Sequence, residues 1–166
     1  MTTQRVERAR TDTTVCWTEG TDLVYERIFD APRDLIWRVM TDPERITHWW
    51  GPHGYSTTVV EMDVRVGGRW RFITHTTGGE DVPFTGEYLE VVPLERVVQT
   101  FIYDVPPFNE MAAIETFTLE DLGARTRVVN RSTFPSLEAL EGALGSGMVR
   151  GAIESWDRLA AEIANG

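Results

Sequence analysis

A chain of 166 residues is long enough for one domain that buries roughly two-thirds of its unfolded surface around a single core. Its formal net charge is −10 and all 16 basic residues are arginine, which speaks against a nucleic-acid partner and against docking on an anionic membrane. Hydrophobic content of 42% and aromatic content of 10% belong to a folded globular protein, so the charge reads as what keeps a small domain soluble.

The first 20 residues mix arginine, threonine and glutamate and lack the apolar core of a signal peptide. They are expected to form a flexible leader, partly ordered near Val15 to Trp17, ahead of one domain over residues 21–166. Cys16 is the sole cysteine, so no intrachain disulfide can form and a reducing, cytoplasmic compartment is expected. Its polar surroundings hold no histidine, which argues against a catalytic thiol. No run approaches the roughly 20 apolar residues of a membrane span, so membrane insertion is not expected. The missing lysine reads as codon bias in a GC-rich bacterial genome.

Asp22 to Asp30 is rich in β-branched and aromatic residues and predicts a strand. Pro32 then opens a helix whose Leu35, Ile36, Val39 and Met40 make one apolar stripe. Thr41-Asp42-Pro43 repeats the start signal, and a second short helix runs to about His48. From Tyr55 the period changes to two. Strands are predicted near Tyr55–Asp63, Arg69–Thr76, Phe84–Val92, Val97–Tyr103, Glu110–Leu119 and Arg125–Thr133, separated by glycine and proline turns. Short strands joined by tight turns pair antiparallel. Beyond Pro135 a short helix near Leu137–Leu144 precedes a longer one near Met148–Ala164. The apolar stripe Met148, Ala152, Trp156, Leu159, Ala160 and Ile163 of that longer helix should face the sheet.

These elements define an α+β architecture: a seven-stranded antiparallel sheet, curved around a long C-terminal helix, with two short helices after the first strand. A twisted sheet curls as it grows, and a helix laid in the curl need not fill it. The volume left over is an expected pocket.

Several motifs carry a resemblance. They are Trp37 in the first helix, His48-Trp49-Trp50-Gly51-Pro52, Gly67-Gly68-Arg69-Trp70-Arg71-Phe72, Gly86-Glu87-Tyr88, and the ending from Gly147-Met148 to Trp156-Asp157-Arg158-Leu159-Ala160. In this order the chain resembles the SRPBCC (START-like, helix-grip, Bet v 1-like) superfamily, and within it the group named after the activator of the heat-shock-protein-90 ATPase. The resemblance covers about Asp22 to Ala164. It implies a helix-grip fold with a deep hydrophobic cavity, and relatives that bind lipids, polyketides or other apolar molecules. Polyketide cyclases, enediyne-binding resistance proteins and co-chaperone domains share the fold, so fold alone does not settle function.

The Trp-Trp-Gly-Pro run reads either as a rim gripping an apolar ligand or as a structural corner, and the corner is preferred. Burying a tryptophan is reason enough for its presence, at roughly 1.5–3 kcal/mol for a large apolar side chain. On the strand from Arg69, alternation puts Trp70, Phe72 and Thr74 inside and Arg69, Arg71 and Ile73 outside. Candidate ligand-contacting residues are Trp37, Trp49, Trp50, Tyr55, Trp70, Phe72 and Phe84, with Phe101, Tyr103, Phe108, Phe117, Met148 and Trp156. Sequence does not separate cavity wall from core among them. Glu115 shares a strand face with Phe117 and Leu119. Buried there it requires a partner such as an arginine, or else access to solvent, and it is the weak candidate for a general base or ligand anchor. The plainer alternative is Arg71 or Arg127 pairing with a surface carboxylate on a neighbouring strand.

His48, His53 and His75 show no metal spacing, and no GxSxG elbow, phosphate loop or dinucleotide fingerprint occurs. No metal, cofactor or firm catalytic residue is therefore predicted. The leading expectation is binding of an apolar or amphipathic small molecule, a lipid, polyketide or aromatic metabolite, in the internal cavity. One alternative is a polyketide cyclase or dehydratase acting in the same cavity, which needs a second polar group beside Glu115, with Tyr103 or His75 as guesses. Another is a co-chaperone-like regulator working through its surface. An apolar pocket rim would favour a homodimer.

Overall fold

The computed structural model describes residues 4–165; the first three residues of the expected leader and Gly166 lie outside them. The chain begins with β1 (Arg5–Arg10), β2 (Thr14–Glu19) and β3 (Asp22–Phe29), followed by α1 (Arg33–Thr41) and α2 (Pro43–Trp49). Then come β4 (Ser56–Met62), β5 (Arg69–His75), β6 (Asp81–Val92), β7 (Arg96–Tyr103), β8 (Ala113–Asp121) and β9 (Thr126–Thr133). It ends with α3 (Leu137–Gly145) and α4 (Met148–Ala164), and a single 3-10 turn (Phe108–Glu110) precedes β8.

The strands form one nine-stranded sheet in the order β1-β2-β3-β9-β8-β7-β6-β5-β4. Every neighbouring pair is antiparallel. This corrects the expected count of seven. The segment read as a flexible leader supplies the two additional strands, and its inward residues explain why the alternation was hard to see. Thr14, Cys16 and Thr18 are buried, but two are threonines, so the period-two signal is chemical only once β3 lies alongside.

The helix boundaries follow from local chemistry. Asp42 caps α2 by accepting from the Glu44 amide at 2.9 Å, with Pro43 in the first turn. Ser136 caps α3 through the Ala139 amide at 3.1 Å. Gly147 lies at φ +84° immediately before α4, a conformation glycine adopts without strain.

Two groups of helices cover different parts of the inner face. α4 lies on the β3 side, where Trp156 meets Phe29 edge-on at 5.7 Å and Tyr25 at 6.1 Å. Leu159 is fully enclosed in the same core. Arg27 reaches up from β3 to Asp157 at 2.6 Å. α1 and α2 instead cap the half of the sheet running from β8 to β4.

The junction between helix groups is pinned by polar contacts from α4. Ser155 Oγ donates to the Trp49 carbonyl and accepts from the Gly51 amide, both at 3.2 Å. Arg158 donates to the carbonyls of Gly51 and Pro52 at 3.0 Å and of His48 at 3.1 Å. These contacts satisfy the backbone that leaves α2, which is how the corner between helix and sheet holds its shape.

Candidate functional site

An apolar cavity of about 60 Å³ lies between α1–α2 and the inner face of the sheet. By the measure in which one water needs roughly 10–15 Å³, that is room for about four to six waters. α1 contributes Trp37, Met40 and Thr41, and α2 contributes Ile46 and Trp49, with Trp50 at its end. From the sheet come Trp70 and Phe72 of β5, Tyr88 of β6, Val97 and Gln99 of β7, and Phe117 and Leu119 of β8. Met62 and Val64 close the β4 side. No α4 side chain lines it among the described residues, so this cavity lies beneath the two short helices and apart from the terminal helix, around which the pocket was expected.

Close backbone approach shapes the floor. Trp70 is buried with its indole N–H donating to the Thr100 carbonyl at 3.2 Å. Its ring crosses Gly86, where any Cβ would collide with both the Thr100 carbonyl and that indole. The glycine therefore lets β6 and β7 receive a tryptophan laid flat across them. Trp50 stands edge-on to Phe72 at 5.1 Å and to Phe84 at 5.0 Å, the geometry aromatic quadrupoles prefer. Trp49 is buried and donates to the Val39 carbonyl at 3.2 Å. The Trp-Trp-Gly-Pro run thus serves as a corner through Trp49, Gly51 and Pro52, while both tryptophans also border the cavity.

Of the aromatic residues singled out in the sequence, Trp37, Trp49, Trp50, Trp70, Phe72 and Phe117 border this cavity. The others stand elsewhere. Phe101, Phe84, Tyr103 and Phe108 form a ladder at centroid spacings of 5.4, 5.6 and 5.4 Å that leads from behind Trp70 to the exposed Phe108. Trp156 belongs to the core under α4, Met148 is half-buried at the start of that helix, and Tyr55 is half-buried before β4. Gln99 was missed. Alternation in β7 places it inward between Val97 and Phe101, a polar residue in an apolar row, and that pattern was available in the sequence.

Glu115 is enclosed on β8, and the expected arginine or route to solvent is not what holds it. It accepts from Gln99 Nε2 at 3.2 Å and from Asn130 Nδ2 and Ser132 Oγ at 3.3 Å. Burial pushes its carboxyl up to about 7, and the bonds from Asn130, Gln99 and Ser132 pull it only partly back. The arginines pair elsewhere: Arg71 with Asp104 at 2.8 Å, Arg127 with Glu120 at 2.7 Å and Glu26 at 3.0 Å. Next to this network the Tyr25 hydroxyl and Asn130 Oδ1 are buried without a hydrogen-bond partner among the described residues. Burial, followed by the nearby Cys16 and Glu115, raises the Tyr25 hydroxyl well above its usual range. His75 takes no part. It bonds Asp81 and Thr58, both at 2.7 Å, on the face of β5 opposite Trp70 and Phe72.

A long C-terminal helix held by a curled antiparallel sheet, with two short helices closing an apolar cavity, defines the helix-grip class. Residues 30–164 match the family model described as Activator of Hsp90 ATPase homolog 1-like protein, and the chain belongs to that family. Solved structures agree. A protein from Arthrobacter aurescens, 22% identical, superposes with a TM-score of 0.83, with 89% of this chain and 88% of that one covered. A protein from Mycobacterium smegmatis is 25% identical, with a TM-score of 0.78 and 93% of each chain covered. One from Chromobacterium violaceum is 28% identical, with a TM-score of 0.73, covering 85% of this chain and 96% of that one. No protein of curated function matches the chain. No helix among the described residues is long and apolar enough to cross a membrane.

Proposed function

We propose that this protein binds a compact apolar or amphipathic small molecule in the cavity beneath α1 and α2. The observation that carries the reading is the cavity itself: about 60 Å³ walled mainly by aromatic and aliphatic side chains from the two helices and five strands. Large aromatic residues in a small domain normally interdigitate and leave few voids wider than a water. An apolar void costs stability through the contacts its lining forfeits, and an apolar guest restores them. A cyclase-type reaction needs two titratable groups converging on the substrate. Glu115 stands behind Gln99, and neither Tyr103 nor His75 borders the cavity, so binding is the better-supported reading. We place the protein in the cytoplasm on the strength of its single unpaired cysteine.

The test is native mass spectrometry of the purified protein, followed by thermal-shift titration with small aromatic hydrocarbons, phenols, fatty acids and sterols. A retained species, or a concentration-dependent rise in melting temperature with one of these classes, is the expected result. No retained mass and no shift with any class would reject the reading.

A further inference from the structure

A chain of hydrogen bonds on the outer face of the sheet takes no part in the cavity. His75 of β5 stands directly opposite Asp81 of β6, and Thr58 of β4, paired with Ile73, is its diagonal neighbour. All three lie on the face away from the buried Trp70 and Phe72. His75 Nδ1 lies 2.7 Å from Asp81 Oδ1, and its Nε2 lies 2.7 Å from Thr58 Oγ1. A carboxylate can only accept, so in the neutral imidazole the proton sits on Nδ1 and Nε2 accepts from the Thr58 hydroxyl.

This hydroxyl is spent differently from those of Thr41, Thr57, Thr85 and Thr126, which donate to main-chain carbonyls at 2.6 to 2.9 Å. A carbonyl holds such a proton in place, whereas an imidazole can take it. A hydroxyl on a base, with the base oriented by a third group, is the arrangement that activates a side chain for nucleophilic attack. The site is open to a reactant: Thr58 is exposed, and the His75 and Asp81 side chains are 38% and 65% exposed. Ile73 and Pro83, half-buried, continue the Thr58 row across β5 and β6 and offer an apolar floor for a short acyl chain. The three polar residues supply nucleophile, base and orienting carboxylate but no oxyanion donor, so the carbonyl has to arrive already activated.

We infer that Thr58 is an acyl-acceptor site with His75 as its general base and Asp81 as the residue that positions the base, and that the donor is an activated ester or thioester of a short apolar acid. Thr58 Oγ1 attacks the carbonyl carbon while its proton passes to His75 Nε2. The tetrahedral intermediate collapses, the bond to the phenolate or thiolate breaks, and the leaving group departs with that electron pair. It takes the proton from Nε2, which restores the neutral imidazole. Asp81 stays ionised throughout and holds Nδ1–H. Water, deprotonated by the same imidazole, then releases the acid and frees Thr58. The site lies on the face opposite the cavity, so the cavity-binding reading stands or falls separately.

The test incubates the protein with para-nitrophenyl butyrate, follows nitrophenolate release, and locates butyryl groups by mass spectrometry of proteolytic fragments. The wild-type protein is expected to carry butyryl on Thr58 ahead of other exposed hydroxyls such as Thr13 and Thr77. Thr58→Val keeps the branched shape of the side chain and should release nitrophenolate at least about tenfold more slowly. His75→Asn and Asp81→Asn should each slow acylation of Thr58 at least about tenfold. The exposed His48 and His53, intact in every variant, give the background that an unassisted imidazole supplies. Ring-nitrogen NMR shifts of His75 should place the proton on Nδ1 in the wild type and lose that preference in Asp81→Asn. A cross-strand staple with no chemistry would lower the melting temperature of these variants and leave acylation unchanged. Butyryl groups spread evenly over the exposed hydroxyls, or release that Thr58→Val leaves at the wild-type rate, would overturn the proposal. So would acylation of Thr58 at an undiminished rate in His75→Asn.

Discussion

The half of the sheet under α4 and the half under α1–α2 solve the same packing problem with different success. Under α4 a single long helix buries Trp156, Leu159 and Ile163 in the core beside β3, and the cleft along its first turns, lined by Val149 and Ile153, lies away from those side chains. Under α1–α2 two short helices meet at the Thr41-Asp42-Pro43 break, and several tryptophans surround a volume they do not fill. One continuous stripe interdigitates with a curled sheet. Two short stripes joined by the capped turn at Asp42 leave a gap. The polar row of Gln99, Glu115, Ser132, Asn130 and Tyr25 runs across the boundary, joined by cross-strand register from β7 through β8 and β9 to β3. On the proposed function, stability belongs to one half and binding to the other.

Truncation in the filled half should show the largest effect. Trp156→Ala is expected to cost roughly 3–5 kcal/mol in denaturant melts, and a loss below about 1 kcal/mol would mean the α4 half is not the stable one. A paired measurement sharpens the contrast. Leu159 in α4 and Leu119 in the cavity wall are both buried leucines. Leu159→Ala should cost about 4 kcal/mol and Leu119→Ala about 2.5 kcal/mol, because atoms facing an existing void have fewer contacts to lose. Equal costs would erase the distinction.

The boundary row should respond to pH. Glu115 titrates near 7 when folded, against an ordinary 4.5, so the folded state holds a proton that the unfolded state has released. Stability from this group is therefore fully present below about pH 4.5 and is lost as pH rises through 7, by about 3 kcal/mol in all. Tyr25 and Cys16, the other titratable groups at this site, have raised values and stay neutral across that window. Glu115→Gln should flatten this limb of the stability-versus-pH curve; an unchanged slope would place the charge elsewhere. The smallest effect belongs to the surface. Arg150→Ala, which removes an exposed pair with Glu154, should change stability by less than about 0.5 kcal/mol.

Much of this was legible from residue order. The strands from Asp22 to Thr133, the break at Pro43 and the stripe of α4 are local signals, and the expected Met148–Ala164 helix has those bounds. Inward placement of Trp70 and Phe72 followed from alternation, which also put Glu115 on one face with Phe117 and Leu119 but did not say which way that face looks. What sequence left open depends on partners distant in the chain. β1 and β2 carry charge and threonine, and become strands by pairing with β3. The neutral donors around Glu115 come from β7 and β9, so an arginine partner was a reasonable expectation that register alone overturned. The position of the cavity depends on where α4 crosses the sheet, a tertiary quantity that no local pattern encodes.

The most direct test of the division between halves is a crystal structure of the wild-type protein under xenon pressure, refined without assuming a site. The account predicts xenon density between Trp50, Trp70 and Leu119 beneath α1–α2, with Trp156 and its neighbours unmoved. Density under α4, or in the surface cleft that Ala9 and Val149 line, with the α1–α2 cavity empty, would contradict it.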